Sequence, residues 1–294
     1  MSSTPVIDVD HLNLKYGDFH AVRDLSFQVR PGELYALLGT NGAGKTSTLE
    51  TVEGHRTATS GTVRVFGRSP RDRRAVRPRM GVMLQESGFS PDLTVRESVR
   101  LIGRLTRRVD TVDRVLGVVD LTRRAGTRVS QLSGGEKRRL DFATAVYGAP
   151  ELIFLDEPTT GLDIQSRDDL WEAVGRLRED GSTIVLTTHY LEEAQQHADR
   201  IGLMHRGALH REGTVSELTR TLPATIRFSV PESAPALPLR ARREGDGRFL
   251  IETFDLAGDL YAFLHWARVH GVEPRDLEAG PTRLDDVFRS ISGE

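Results

Sequence analysis

The octapeptide Gly39–Thr46, GTNGAGKT, follows the apolar run Leu34–Leu38 and opens a stretch of helical composition, Lys45–Glu53. A short apolar run ending at a glycine turn reads as a buried strand, so the three segments form a strand–turn–helix unit. In that setting the pattern G-x-x-x-x-G-K-[ST] is a phosphate cradle. Glycines let backbone N–H groups turn inward, the helix start adds positive potential, and the lysine reaches phosphate oxygens. Lys occurs only at 15, 45 and 137, so Lys45 is not one of many interchangeable cations. The candidate phosphate ligands are Gly39, Thr40, Asn41, Gly42, Ala43, Gly44, Lys45, Thr46 and Ser47, with the Thr46 hydroxyl placed for Mg2+.

A phosphate loop needs an acidic partner for the metal, and Leu152–Glu157, LIFLDE, supplies one at the end of an apolar strand. Asp156 is the candidate Mg2+ ligand. Glu157 is the candidate to polarise an attacking water, which requires that the two carboxylates leave the strand in different directions. Another buried run, Thr183–Thr188, ends at His189. Strands alternating with helical stretches predict a parallel α/β core. Asp92–Asp120 reads as a helical insertion, with Val95, Val99, Ile102 and Leu105 on one face. Arg206-Gly207 between two short apolar runs predicts a hairpin near the end of this module. A boundary is expected at Leu222-Pro223, giving domains 1–222 and 223–294. The second is expected to be a small α/β module with strands near Thr225–Val230 and Phe249–Thr253. One amphipathic helix is expected through Leu260, Phe263, Leu264 and Ala267, and another through Leu284, Val287, Phe288 and Ile291.

Composition narrows the function. The formal charge of −2 argues against a protein that works by wrapping nucleic acid phosphate, so no nucleic acid partner is expected. With no cysteine, thiolate metal sites and cysteine nucleophiles are excluded. No apolar run reaches the roughly 18 to 20 residues of a membrane span, and the first ten residues lack a signal-peptide pattern, so a cytosolic chain that meets the membrane through a partner is expected.

Leu132–Glu136, LSGGE, between the phosphate loop and LIFLDE discriminates among ATPases. With it the sequence resembles the nucleotide-binding subunits of ABC transporters, from about Val6 to Leu218. The motifs match in order: Tyr16, the phosphate loop, Gln85, LSGGE, LIFLDE, Gly161-Leu162-Asp163 and His189. The resemblance implies a P-loop NTPase core with a parallel sheet, an antiparallel β subdomain and a helical insertion, binding ATP with Mg2+. It implies that Tyr16 stacks on adenine, that Gln85 senses Mg2+ and the attacking water, and that His189 reaches the γ-phosphate. It further implies a head-to-tail ATP-sandwich dimer, in which Ser133, Gly134 and Gly135 of one copy, with Asp163 nearby, complete the site of the other. The catalytic set is then Glu157, His189 and Gln85, and the metal set Thr46, Gln85 and Asp156. Thr40, Glu136 and Ile164 stand where Pro, Gln and Pro are frequent; Glu136 is expected to pair locally with the cations that follow it.

The single cassette with a short tail ending PTRLDDVFRSISGE is similar to the daunorubicin-resistance-type exporter branch, through Pro281, Leu284, Asp286, Val287 and Phe288. That implies a separate transmembrane permease and a position on the cytoplasmic face of the membrane. The alternatives are a soluble ABC ATPase acting on DNA or ribosomes, and an importer subunit. Between Lys45 and Ser133 there is no heptad run of the kind a repair-type coiled coil requires.

Overall fold

The computed structural model describes residues 4–85, 88–220, 222–231, 233–244 and 247–292. The chain forms two compact units, Met1–Thr214 and Val215–Glu294. They divide upstream of the expected Leu222 boundary, because the short helix Val215–Thr219 packs within the second unit against the C-terminal helix.

The first unit holds two sheets. The antiparallel sheet has the order β2-β1-β4, from β1 (Ile7–Tyr16), β2 (Phe19–Val29) and β4 (Ser60–Val65). The main sheet comprises β3 (Leu34–Gly39), β5 (Met80–Met83), β6 (Leu152–Asp156), β7 (Thr183–Thr187), β8 (Arg200–His205) and β9 (Ala208–Gly213). Its order is β5-β6-β7-β3-β8-β9, parallel except for the β8–β9 hairpin, whose register brings His205 opposite Ala208 across the expected turn. Leu34–Leu38, Leu152–Leu155 and Thr183–Thr187 are buried throughout, as strands covered on both faces must be. The core joining the sheets takes Val9, Leu12, Leu25 and Phe27 from one and Tyr35, Leu37, Phe154 and Val185 from the other, with Phe27 stacked on Tyr35 at 5.3 Å between centroids.

Among the described residues the α-helices of this unit follow from local signals: α1 (Lys45–Val52), α2 (Arg73–Val76), α3 (Val95–Thr106), α4 (Val112–Val118), α5 (Gly134–Ala145), α6 (Ile164–Glu179) and α7 (Leu191–His197). Helix α3 starts in a capping box between Thr94 and Glu97, and α5 in another between Ser133 and Glu136, which satisfies N–H groups that a helix start leaves unpaired. Helices α3 and α4 form the expected insertion. Val95 and Val99 are buried and Ile102 half-buried, whereas Leu105 is 69% exposed: the last turn of α3 runs past the core and ends at Arg107 in the left-handed region. Segment 86–99 begins with Glu86 and Ser87, which lie outside the described residues; in the part described, Phe89 and Leu93 are half-buried.

The second unit contains α8 (Val215–Thr219), β10 (Ala224–Ser229), β11 (Arg242–Arg243), β12 (Arg248–Thr253), α9 (Leu256–Val269), β13 (Arg275–Gly280) and α10 (Leu284–Ser292). Its sheet is antiparallel, ordered β11-β12-β10-β13. Ile226, Phe228 and Ile251 on one face pack against Phe263, Trp266 and Ala267 of α9, with the Phe228 and Phe263 rings 4.1 Å apart. Leu264, expected on the buried face, is 42% exposed, because the face that meets the sheet is set by Phe263, Trp266 and Ala267. Phe263→Ala should therefore cost the second unit about 3–5 kcal/mol. Hydrogen exchange of the β10 and β12 amides is expected to accelerate, and unchanged protection would contradict this packing.

Candidate active site

Parallel strands of an α/β sheet present their carboxyl ends on one side, where ligands bind. Here β6, β7 and β3 are adjacent, so the turns after them converge: Asp156 and Glu157 leave β6, His189 follows β7, and the phosphate loop follows β3. The loop is built to hold backbone close to other backbone. A Cβ on Gly39 would lie 2.5 Å from the Met204 carbonyl oxygen. Gly44, the residue capping α1, has φ of +98°, and a Cβ there would lie 2.6 Å from the Ala21 carbonyl oxygen. Both positions exclude a side chain, and the second also excludes ordinary L-residue backbone.

Lys45 folds back over this loop, its Nζ donating to the carbonyls of Gly39 at 2.6 Å and Thr40 at 3.2 Å. Burial pushes its pKa down, while the charges of Glu157 and Asp156 pull it back up. Asp156 is half-buried, and burial raises its pKa; the hydrogen bond from Thr187 Oγ1 opposes that rise and the charge of Glu157 adds to it. Glu157 turns away: its backbone lies at φ +49°, its N–H donates to the Thr187 carbonyl at 2.8 Å, and its Oε1 stands 3.2 Å from His189 Nδ1. One carboxylate thus engages Thr187 and the other His189, the divergence that different roles for two consecutive acids require. Thr46 is exposed at the first turn of α1.

The oxygen-only donor set of Thr46, Asp156 and the Gln85 amide suits a hard cation such as Mg2+, and the crowding of Asp156 with Glu157 leaves negative charge for one to offset. Among the described residues no group of three or more His, Cys, Asp or Glu forms a metal cage.

Tyr16 lies beside the loop, its hydroxyl 2.9 Å from Ser47 Oγ and its ring under the Arg56 guanidinium at 4.6 Å. Gln85 is exposed, its backbone carbonyl accepting from Arg138 at 3.0 Å. The remaining positions lie at helix starts. Ser133 caps α5 and Asp163 caps α6, accepting from the Ser166 N–H at 2.8 Å; Ser133, Gly134 and Asp163 are exposed and Gly135 half-exposed. Among the described residues no hydrogen bond or ion pair connects them to the phosphate loop. Glu136 does not pair with Lys137, Arg138 or Arg139. It accepts from the Ser133 N–H at 2.8 Å and from Arg124 Nε at 2.8 Å, which in that order hold its carboxyl below the usual range.

Two buried acids near the site went unread in the sequence. Glu193 on α7 accepts from Thr159 Oγ1 at 2.5 Å and Thr188 Oγ1 at 3.1 Å, tying the segments that leave β6 and β7. Glu53, just after α1, is 6% exposed, and its Oε2 stands 3.3 Å from His55 Nδ1. The only signal for either is helical phase, which places one acid of Glu192-Glu193 beside buried Ala194.

Comparison with known proteins agrees with this geometry. The family model for ABC transporters matches residues 22–160, and a model for the C-terminal domain of ABC transporter domain-containing proteins matches residues 224–282. The chain is 38% identical to the Nod factor export ATP-binding protein I of Paraburkholderia xenovorans, across 98% of this chain and 97% of that one. It is 34% identical to the daunorubicin resistance ATP-binding protein DrrA3 of Streptomyces coeruleorubidus, across 98% and 96%. The chain belongs to the ATP-binding subunits of ABC transporters. Among solved structures, an ATP-binding subunit of an ABC transporter superposes with a TM-score of 0.69 at 26% identity, covering 74% of this chain and 92% of that one. A dimeric ATP-binding cassette in a post-hydrolysis state, bound to ADP and Pi, superposes at 0.64 with 25% identity, covering 71% and 98%. The ABC subunit described here is thus an ATPase that hydrolyses ATP for transport, in a family whose subunits dimerise and pair with transmembrane subunits. No helix among the described residues is long and apolar enough to cross a membrane.

Glu53 gives this ATPase a pH dependence. Burial first, then the charges of Asp156 and Glu50, raise its pKa from 4.5 to about 8. Between those values the folded state retains a proton that the unfolded state releases, so the stabilisation is complete below pH 4.5 and is lost as pH rises through 8. His55 beside it is held neutral more readily by burial and by Arg77. In nucleotide-free protein Glu53→Gln should raise the denaturation midpoint at pH 8.5 relative to wild type and change it little at pH 5. Parallel pH profiles for the two proteins would contradict the assignment.

Proposed function

We propose that the chain is the ATP-hydrolysing subunit of an exporter for a drug or other small hydrophobic compound, acting at the cytoplasmic face of the membrane through a separate permease. The similarity of both its units, end to end, to ATP-binding subunits of export systems carries the exporter reading. In the reaction ATP and water give ADP and phosphate. The N–H groups of Gly42 to Thr46 and the Lys45 ammonium bind the β- and γ-phosphates, and Tyr16 stacks on the base. Mg2+, held by Thr46, Asp156 and Gln85, would neutralise phosphate charge. Glu157 accepts a proton from the in-line water, and His189, 3.2 Å from its carboxylate, orients that carboxylate and faces the γ-phosphate. Ser133, Gly134, Gly135 and Asp163 are exposed or half-exposed and, among the described residues, share no hydrogen bond or ion pair with the phosphate loop, which supports a role for them at the site of a second copy placed head to tail. The second unit, which carries no phosphate loop, stabilises or regulates the assembly.

Glu157→Gln should keep ATP affinity within a few-fold while lowering turnover by about 10^3 or more. With the proton acceptor gone, ATP should hold a dimer that light scattering detects. A variant that still hydrolyses ATP and stays monomeric in Mg-ATP would overturn both the base assignment and the sandwich. Co-expression with a neighbouring six-span permease tests the export reading: energised efflux supports it, and uptake dependent on a binding protein contradicts it.

A further inference from the structure

Arg138 sits on α5, the helix that starts at Ser133, with its side chain 7% exposed. The carboxylate of Asp141, its only ion-pair partner among the described residues, stands at 4.0 Å, too far for a hydrogen bond. A buried guanidinium is costly unless its N–H groups are met, and here backbone carbonyls meet them. Nη1 donates to Leu84 at 2.7 Å and to Gln85 at 3.0 Å. Nη2 donates to Asp156 and, at 2.6 Å, to Glu157, while Nε donates to Pro158 at 3.3 Å. These carbonyls lie on the two segments that leave adjacent parallel strands, β5 and β6, where Met83 pairs with Leu155 and the chains then part. One planar fork spans the gap between them, which a lysine's single ammonium cannot do.

Glu157 supplies a second observation. Its backbone lies at φ +49°, a region that a residue with a Cβ occupies only when its surroundings hold it there. Its N–H is fixed by Thr187 and its carbonyl by Arg138. Removing the guanidinium frees one side of the strained peptide that aims the carboxylate.

We propose that Arg138 is a positioning residue for ATP hydrolysis: its guanidinium fixes the backbone of Gln85 and of Glu157 to each other and to the helix headed by Ser133. The inference rests on the ATPase reading above and adds a physical tie between three motifs that lie apart in sequence. When Ser133 of this chain meets nucleotide bound to a second copy, any shift of α5 is carried through Arg138 to Gln85 and Glu157 of its own site. Among the described residues Arg138 has no hydrogen bond to the phosphate loop or to Tyr16, so the loop's own hold on the phosphates does not run through it.

The test is steady-state ATPase kinetics with a nucleotide-binding titration on wild type, Arg138→Lys, Arg138→Gln and Arg138→Met, each checked for folding by thermal denaturation. We expect KM and ATP affinity within about threefold of wild type throughout, kcat lowered about 20-fold or more in the Met variant, and a partial recovery in Lys. Within a Glu157→Gln background, Arg138→Met should lower the residual single-turnover rate by less than about twofold, since both changes act through one group. If the Met variant does not fold, the Gln variant carries the same comparison. Wild-type kcat in a folded variant, equal losses in kcat and ATP affinity, or a full further loss in the Glu157→Gln background would each overturn the proposal. Absence of ATPase activity in the wild type would instead overturn the functional reading on which it rests.

Discussion

The Lys45 ammonium, drawn partly out of water, lies against two carbonyls of its own loop and in the field of Asp156 and Glu157. Much of the first unit is arranged to make that possible. The strand order sets β7 between β3 and β6, so the acid-bearing turn arrives one strand away from the lysine-bearing loop, and Thr187 at the end of β7 bridges the interval by bonding Asp156. Burial disfavours the charged forms of both Lys45 and Asp156, and each is partly restored by the other's charge. A site so poised favours a polyanion that brings its own cation, because phosphate oxygens satisfy the lysine while the metal satisfies the acids.

Around this centre is a set of residues that hold segments and touch no reacting atom. Glu193 joins the turns after β6 and β7 through two threonine hydroxyls, and Arg138 joins the turns after β5 and β6 through carbonyls. Glu136 closes a capping box on Ser133, leaving that residue's helix end fixed and facing outward. The departure from Gln at position 136 is therefore absorbed locally: a carboxylate accepts the Ser133 N–H at least as well as an amide oxygen, and Arg124 offsets its charge.

The legible parts of the sequence were those where local pattern and tertiary demand coincide. Leu34–Leu38, Leu152–Leu155 and Thr183–Thr187 are largely apolar because the sheet is covered on both faces, and the glycines at 39 and 44 stand where an added Cβ would lie within 3 Å of another segment's carbonyl oxygen. Residues whose importance comes from three-dimensional placement were not legible. Arg138 lies in the run Lys137-Arg138-Arg139, expected from the sequence only as local partners for Glu136, and only the packing of α5 against β5 and β6 singles out the middle one. Leu105 and Leu264 fit a helical stripe yet are exposed, the first because the last turn of α3 runs past the core and the second because Phe263, Trp266 and Ala267 set the face of α9 that meets the sheet. The edge strand β13, exposed along most of its length, carries no alternating pattern to announce it and exists because β10 offers it a partner.

In the proposed mechanism a single loop cation, facing two divergent carboxylates, binds the phosphates whose hydrolysis drives the subunit. Isothermal titration of ATP into wild type and Lys45→Ala, paired with phosphate release from the same preparations, tests it most directly. The variant is expected to stay folded, to bind ATP at least about tenfold more weakly, and to release no phosphate above background. Wild-type affinity and turnover in Lys45→Ala would contradict it.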